Sequence, residues 1–375
     1  MRWLGIAAAL MALAPLNASM AATPKPIDTT LAFEMVSLES EMAGDKSPKA
    51  IPFPKDGMAK LAEALNAATS AAIATDPDPK TPAAALKVME AMQAALVKLH
   101  YVQPSREDDW VETLGESFTP RDIAANDMLD AIGASWMTRA EDSFGLKGPI
   151  YFLDCDMAAL IFISVGQRMG WDIRLVEVFK HNYVHWHLPS GEIVGWDWTH
   201  QGSFPDDDYP HNRHYRHWPA RDRHGKSLSF AFARSYYLTR IAYRLKDGPA
   251  KQRILEDAMR ADPTNDWNYN DLAWLYAVSP SLKPSDPKSP FAYALAAWAA
   301  RPLDPDVADT VACALVQADD EIDSDDGPVP VKGKRALAIA IETFARDNAG
   351  SEDLRKQFAF RLALITKGEA CREMP

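Results

Sequence analysis

At 375 residues, with 47% hydrophobic and 10% aromatic content, the chain is long enough for two or three domains with real cores, which excludes a disordered or low-complexity protein. The formal charge of −12 argues against nucleic acid or an anionic membrane as the main partner. Beyond the first residues, no run approaches the roughly 20 apolar residues of a membrane span, so none is expected.

In chain order, residues 1–21 read as a secretory signal. Arg2 supplies the positive start, Trp3 to Leu13 the apolar core, and Ser19-Met20-Ala21 a small-x-small cleavage site. The mature chain is therefore expected to begin at about Ala22 and to be periplasmic or secreted. No cysteine follows the cleavage site, which excludes a lipid anchor there. Intact-mass measurement of the exported protein checks this, and a retained Met1 would contradict it.

Two Ala-rich amphipathic helices follow, at Gly57–Ile73 and Thr81–Leu99, with Thr81-Pro82 as a cap and first-turn pair. Asp122–Ser135 is expected to form another short helix. From Gly148 the pattern changes. The run Tyr151-Phe152-Leu153 leads into Asp154-Cys155 and then a strongly apolar helix, Met157–Met169, stopped by Gly170. Strands are predicted at Ile173–Phe179, Tyr183–Leu188 and Glu192–Trp198, the last two joined as a hairpin by Pro189-Ser190-Gly191. This order of helix, strand and hairpin predicts an α+β core with the helix packed on an antiparallel sheet.

From about Phe230 the chain reads as helix again. Lys251–Pro263 with Asn265–Val278, and Ser289–Arg301 with Asp304–Ala318, look like related units, each containing an Asp-Pro bend at Asp262-Pro263 or Asp304-Pro305. They resemble tetratricopeptide units of paired helices. Asp319–Asp326 reads as a solvated acidic loop, and Arg335–Arg346 and Glu352–Leu364 as closing helices. The expected organisation is a signal over 1–21, a helical lead-in with the α+β core over 22–229, and a helical repeat domain over 230–375.

An exported protein meets an oxidising compartment, and an odd number of cysteines leaves one unpaired there. Cys313 and Cys371 both lie in the C-terminal half, so the economical pairing leaves Cys155 as the free thiol. Cys155 sits at the first turn of a buried helix, where the dipole favours a thiolate. Asp154 and Asp156 flank it and disfavour one, so a histidine must compensate. His181 opens the first hairpin strand, and Asp197 lies in the return strand where it can fix the imidazole tautomer.

The segments Cys155-Asp-Met-Ala-Ala-Leu, Gly170-Trp-Asp-Ile-Arg174, His181-Asn-Tyr-Val and Gly195-Trp-Asp197-Trp-Thr are similar in order and spacing to the transglutaminase-like superfamily. The resemblance covers about Thr81 to Gln201. It implies a papain-like fold, with Cys155, His181 and Asp197 as the triad. With the tail, the mature chain resembles bacterial transglutaminase-like proteins that carry tetratricopeptide repeats. The function implied is thiol-dependent acyl chemistry, as hydrolysis or transfer, on a peptide or protein of the cell envelope, with no cofactor. The competing reading is a non-catalytic interaction module whose repeats bind a protein partner.

Metal binding is the main rival chemistry. His181, His185 and His187 alternate along one strand, and His211, His214 and His217 recur every third residue beside Asp206–Asp208. That second spacing is not the i, i+4 of a helical zinc pair. Arg213, Arg216, Arg221 and Arg223 crowd the stretch and repel a cation. The sequence therefore favours a basic, aromatic loop over the site, and no metal.

Overall fold

The computed structural model describes residues 23–48, 50–106, 110–145, 147–178, 181–203, 224–279, 281–282, 290–318 and 331–374. The expected signal over residues 1–21, the His211–His217 stretch and the acidic segment Asp319–Asp326 lie outside these residues. Within them the fold is mixed helix and sheet, dominated by helix. No helix among the described residues is long and apolar enough to cross a membrane.

The first helix, α1 (Leu31–Glu41), has Thr30 as its N-cap, whose side chain accepts from Phe33 N–H. Then come α2 (Gly57–Thr75) and α3 (Pro82–Lys98), close to their predicted bounds. Thr81 caps α3 by accepting from the Ala84 N–H at 3.3 Å. Ala85, Val88, Met89, Met92 and Leu96 form its buried face, with the i, i+3, i+4, i+7 spacing read from the sequence. The two helices pack on each other, α2 also meets the helix that begins at Cys155, and α3 covers the last strand of the main sheet.

The helix expected at Asp122–Ser135 is broken in two. After α4 (Leu114–Ser117) comes α5 (Met128–Ile132), which ends because Gly133 turns to φ +73°, a conformation that suits glycine. A new helix, α6 (Ala134–Phe144), follows, with only Trp136 and Ala140 buried. Two buried positions leave little periodicity to read.

Tyr101–Val102 (β1) pairs in parallel with Tyr151–Phe152 (β2). This pair hands the chain to α7 (Cys155–Met169), whose N-cap is Asp154, accepting from the Met157 N–H at 3.1 Å. Nearly every residue of α7 is buried, and Gly170 closes it in the left-handed conformation at φ +73°. The main sheet is antiparallel, in the order β3 (Asp172–Val178), β4 (His181–His187), β5 (Ile193–Trp196), and α7 lies on β3 and β4. The approach is close at Gly166, where a Cβ would come within 3.0 Å of Ile173. Register pairs Val178 with His181, His185 with Gly195, and Trp186 with Val194. The middle strand thus starts two residues earlier than its apolar run, at His181. The last stops before Asp197, which joins Gly202 in an isolated bridge.

The rest is helical: α8 (Phe230–Tyr243), α9 (Pro249–Ala261), α10 (Asp266–Val278), α11 (Pro290–Ala300), α12 (Pro305–Gln317), α13 (Val331–Asp347) and α14 (Glu352–Lys367). Each packs on the next, while α10 also meets α12 and α12 meets α14. The two Asp-Pro bends are not equivalent. Asp262 is the C-cap of α9, whereas Asp304 is the N-cap of α12 with Pro305 in its first turn. Cys313 on α12 is disulfide-bonded to Cys371 beyond α14, with 5.6 Å between Cα atoms, and Cys155 is free. One contiguous apolar core runs from Leu31 to Ala314, across residue 230 where the composition changes.

Candidate active site

Cys155 occupies the first turn of α7, half-buried, with its side chain beside the start of β4. Asp156 lies next along the helix, and its carboxylate gathers the polar groups around it. The Asn182 amide donates to Oδ1 at 2.6 Å and the Tyr236 hydroxyl to Oδ2 at 2.8 Å. Arg240 on α8 lies 2.9 Å from Oδ2 and also pairs with Glu112 at 2.7 Å. The Tyr237 hydroxyl donates to the Asp156 carbonyl at 2.9 Å. Burial by itself would raise the Asp156 carboxyl, but Arg240, Asn182 and Tyr236 together hold it below its usual range, so Asp156 is an anion.

That anion governs the thiol. Cys155 Sγ donates to Asp156 Oδ1 at 3.3 Å, and among the described residues no hydrogen bond joins it to His181. Burial pushes the Cys155 thiol well above its ordinary range, followed by the charges of Asp156 and Asp154. The backbone N–H of Asn182 acts the other way, favouring the thiolate. Asp154 is itself raised, by burial first and then by Asp156. At neutral pH the resting group is a thiol.

One strand position away, the other two predicted residues do meet. His181 Nε2 lies 2.8 Å from Asp197 Oδ2, with both side chains buried. Asp197 is held from two sides: its backbone pairs with Gly202 in both directions, and its Oδ1 accepts from the Thr199 N–H at 2.8 Å. A second imidazole shares the same oxygen, His200 Nδ1, at 2.5 Å. Burial opposes ionisation of Asp197, but the two histidines, His181 first, hold its carboxyl far below the carboxylate range. The hydrogen bond to Asp197 raises His200 in turn.

His185 and His187 turn elsewhere. Their Nδ1 and Nε2 lie 2.8 and 2.7 Å from the same Ser227 hydroxyl oxygen. The strand trio considered for metal is therefore split, with His181 on Asp197 and the other two on Ser227. His211, His214 and His217 lie outside the described residues.

Sequence reasoning missed Asn182, Tyr236, Arg240 and His200. Three of these carried no local signal, because they reach Asp156 from β4 and from α8, up to 84 positions along the chain from it. His200 did carry one. An Asp whose side chain takes the N–H two residues on is a turn former, and it brings the residue at i+3 back over the carboxylate. Compared with protein-family models, with curated proteins and with solved structures, the chain matches none.

Proposed function

We propose that the chain performs thiol-dependent acyl chemistry on an amide or peptide, with Cys155 as nucleophile, His181 as base and Asp197 as its orienter, in a transglutaminase-like, papain-related arrangement. The observation that carries this reading is the buried 2.8 Å contact of His181 Nε2 with Asp197, on the strand whose next residue, Asn182, touches the helix turn bearing Cys155. With Nε2 engaged by Asp197, Nδ1 is the nitrogen that serves the thiol. The Cys155 proton passes to Nδ1 as sulfur attacks the carbonyl, and the Cys155 N–H at the start of α7 donates to the oxyanion. The tetrahedral adduct expels the amine, which takes the proton from His181, and a thioester remains. Water activated by His181 then releases the acid. The helical pairs after residue 230, read as tetratricopeptide-like, would present a surface to a protein partner in the cell envelope.

A second reading has its own observation. The hydrogen bond from Cys155 to Asp156, with the raised thiol, suits a scaffold that keeps the triad without turnover and serves as a binding module.

Iodoacetamide alkylation of Cys155 across pH separates the two. Replacing Asp156 by Asn removes one like charge at contact distance, so the thiol should titrate lower and alkylation at pH 7 should quicken by at least about tenfold. Replacing His181 by Ala should slow it, because the thiolate loses its counter-charge. A His181→Ala rate equal to wild type would count against the Cys155–His181 pair and leave the binding module. A thioester-linked mass on Cys155, trapped after incubation with cell-envelope extract, would identify the acyl donor.

A further inference from the structure

We propose that His181 Nε2, His200 Nδ1 and Asp197 Oδ2 form a binding site for a divalent transition-metal ion of the zinc class. The metal site stands on its own donors; only its mutual exclusion with the thiol reaction rests on the acyl-transfer reading. Two imidazole nitrogens and one carboxylate oxygen are the set that zinc, cobalt and nickel prefer, whereas magnesium and calcium seek oxygen alone. The three donor atoms all lie within 4.8 Å of one another. Metal bonds of about 2.1 Å in a tetrahedron place donors about 3.4 Å apart. His181 Nε2 and His200 Nδ1 now lie 2.8 and 2.5 Å from the shared oxygen, so each needs to retreat by less than 1 Å to admit an ion.

The surroundings keep the donors where the ion needs them. Asp197 Oδ1 is tied to the Thr199 N–H, which leaves Oδ2 as the oxygen turned to both rings. The backbone on either side is fixed by the Asp197–Gly202 bridge and by Gln201, whose side-chain amide donates to the Ser135 carbonyl at 3.0 Å and whose Oε1 accepts from Arg139. The side chains of Asp197 and His181 are 0% and 6% exposed, but that of His200 is 35% exposed. Among the described residues, the donor set is therefore most accessible on the His200 side.

Occupation has a consequence for the neighbouring thiol. A metal on His181 Nε2 leaves the ring proton on Nδ1, the nitrogen that would take the Cys155 proton. Bound ion and thiol reaction exclude each other.

The test uses the full mature chain, with Zn²⁺ alone in calorimetry and Co²⁺ alone in absorption. The expected result is one Zn²⁺ per chain and a tetrahedral Co²⁺ spectrum without a sulfur charge-transfer band. Affinity should fall at least about 100-fold in His200→Ala and in the more conservative His200→Gln, since even outer-shell changes cost up to that much. The variants His185→Ala, Cys155→Ser and the triple His211→Ala, His214→Ala, His217→Ala should bind as wild type does. Undiminished binding in both His200 variants overturns the site. So does loss in the triple variant, which would put the ion on that stretch. A sulfur-to-cobalt band that vanishes in Cys155→Ser overturns it too, by showing a thiolate ligand. Zinc that binds without slowing Cys155 alkylation overturns the mutual exclusion.

Discussion

Replacing Glu342 by Gln should stabilise the protein at pH 7 by about 3 kcal/mol, and the gain should vanish towards pH 4.5. Glu342 on α13 is fully buried against Asp309 of α12, and Arg361 of α14 donates to Asp309 at 2.5 Å. Among the described residues neither Glu342 oxygen meets an ordinary donor, which fits a carboxyl that carries its own proton and donates it in a hydrogen bond to Asp309. Burial first, then the Asp309 charge, pushes Glu342 up to about 10, against Arg361. In the unfolded chain the same group titrates near 4.5. Between those values the folded state holds one proton more than the unfolded state, so stability falls as pH rises, by about 1.4 kcal/mol per unit. At pH 7 the climb is 2.5 units above that unfolded value, hence about 3 kcal/mol. Gln keeps the donor and never ionises. Urea unfolding of both proteins at several pH values measures it, and a difference that does not change with pH would refute the shared proton.

How much of this was legible in the sequence depends on whether a residue's partners are near it along the chain. The helices α2 and α3 were readable because propensity, caps and apolar spacing agree. The hairpin was readable from its Pro-Ser-Gly turn, where Gly191 takes φ +88°. The start of β4 was harder. His181 and Asn182 are polar yet buried, each on a polar partner, so the apolar run begins two residues after the strand does, at Tyr183. At Gly133 the glycine itself is the local mark of the break, but α6 beyond it buries only Trp136 and Ala140 and leaves little periodicity to read. At the site, the pairing of His181 with Asp197 followed from counting across the hairpin, because antiparallel register is local information. The environment of Cys155 did not, because Asp156 is held by residues from two elements distant from it along the chain, β4 and α8. The flanking acids could be seen in the sequence; that Arg240 keeps one of them charged could not.

The other large effect concerns the disulfide, and it bears on where the protein can fold. Cleaving Cys313–Cys371 should cost about 4 kcal/mol, because it frees a loop of 58 residues in the unfolded chain. The bond also fastens the segment after α14, where Gly368 ends the helix and Cys371 enters an apolar cluster with Cys313, Leu315, Ala338 and Ile365. Against a net stability of roughly 5–15 kcal/mol for a typical domain, this is a substantial fraction. Wild type in reductant and the Cys313→Ser, Cys371→Ser double variant should show the same lowered midpoint in urea, while the oxidised wild type unfolds later. Equal midpoints with and without reductant would remove the disulfide from the account of stability. Cys155 provides the internal control, since its alkylation in the native protein should be the same in wild type and double variant if the loss is confined to the helical end. Full stability of α12–α14 would then require an oxidising environment, a requirement that rests on the disulfide alone.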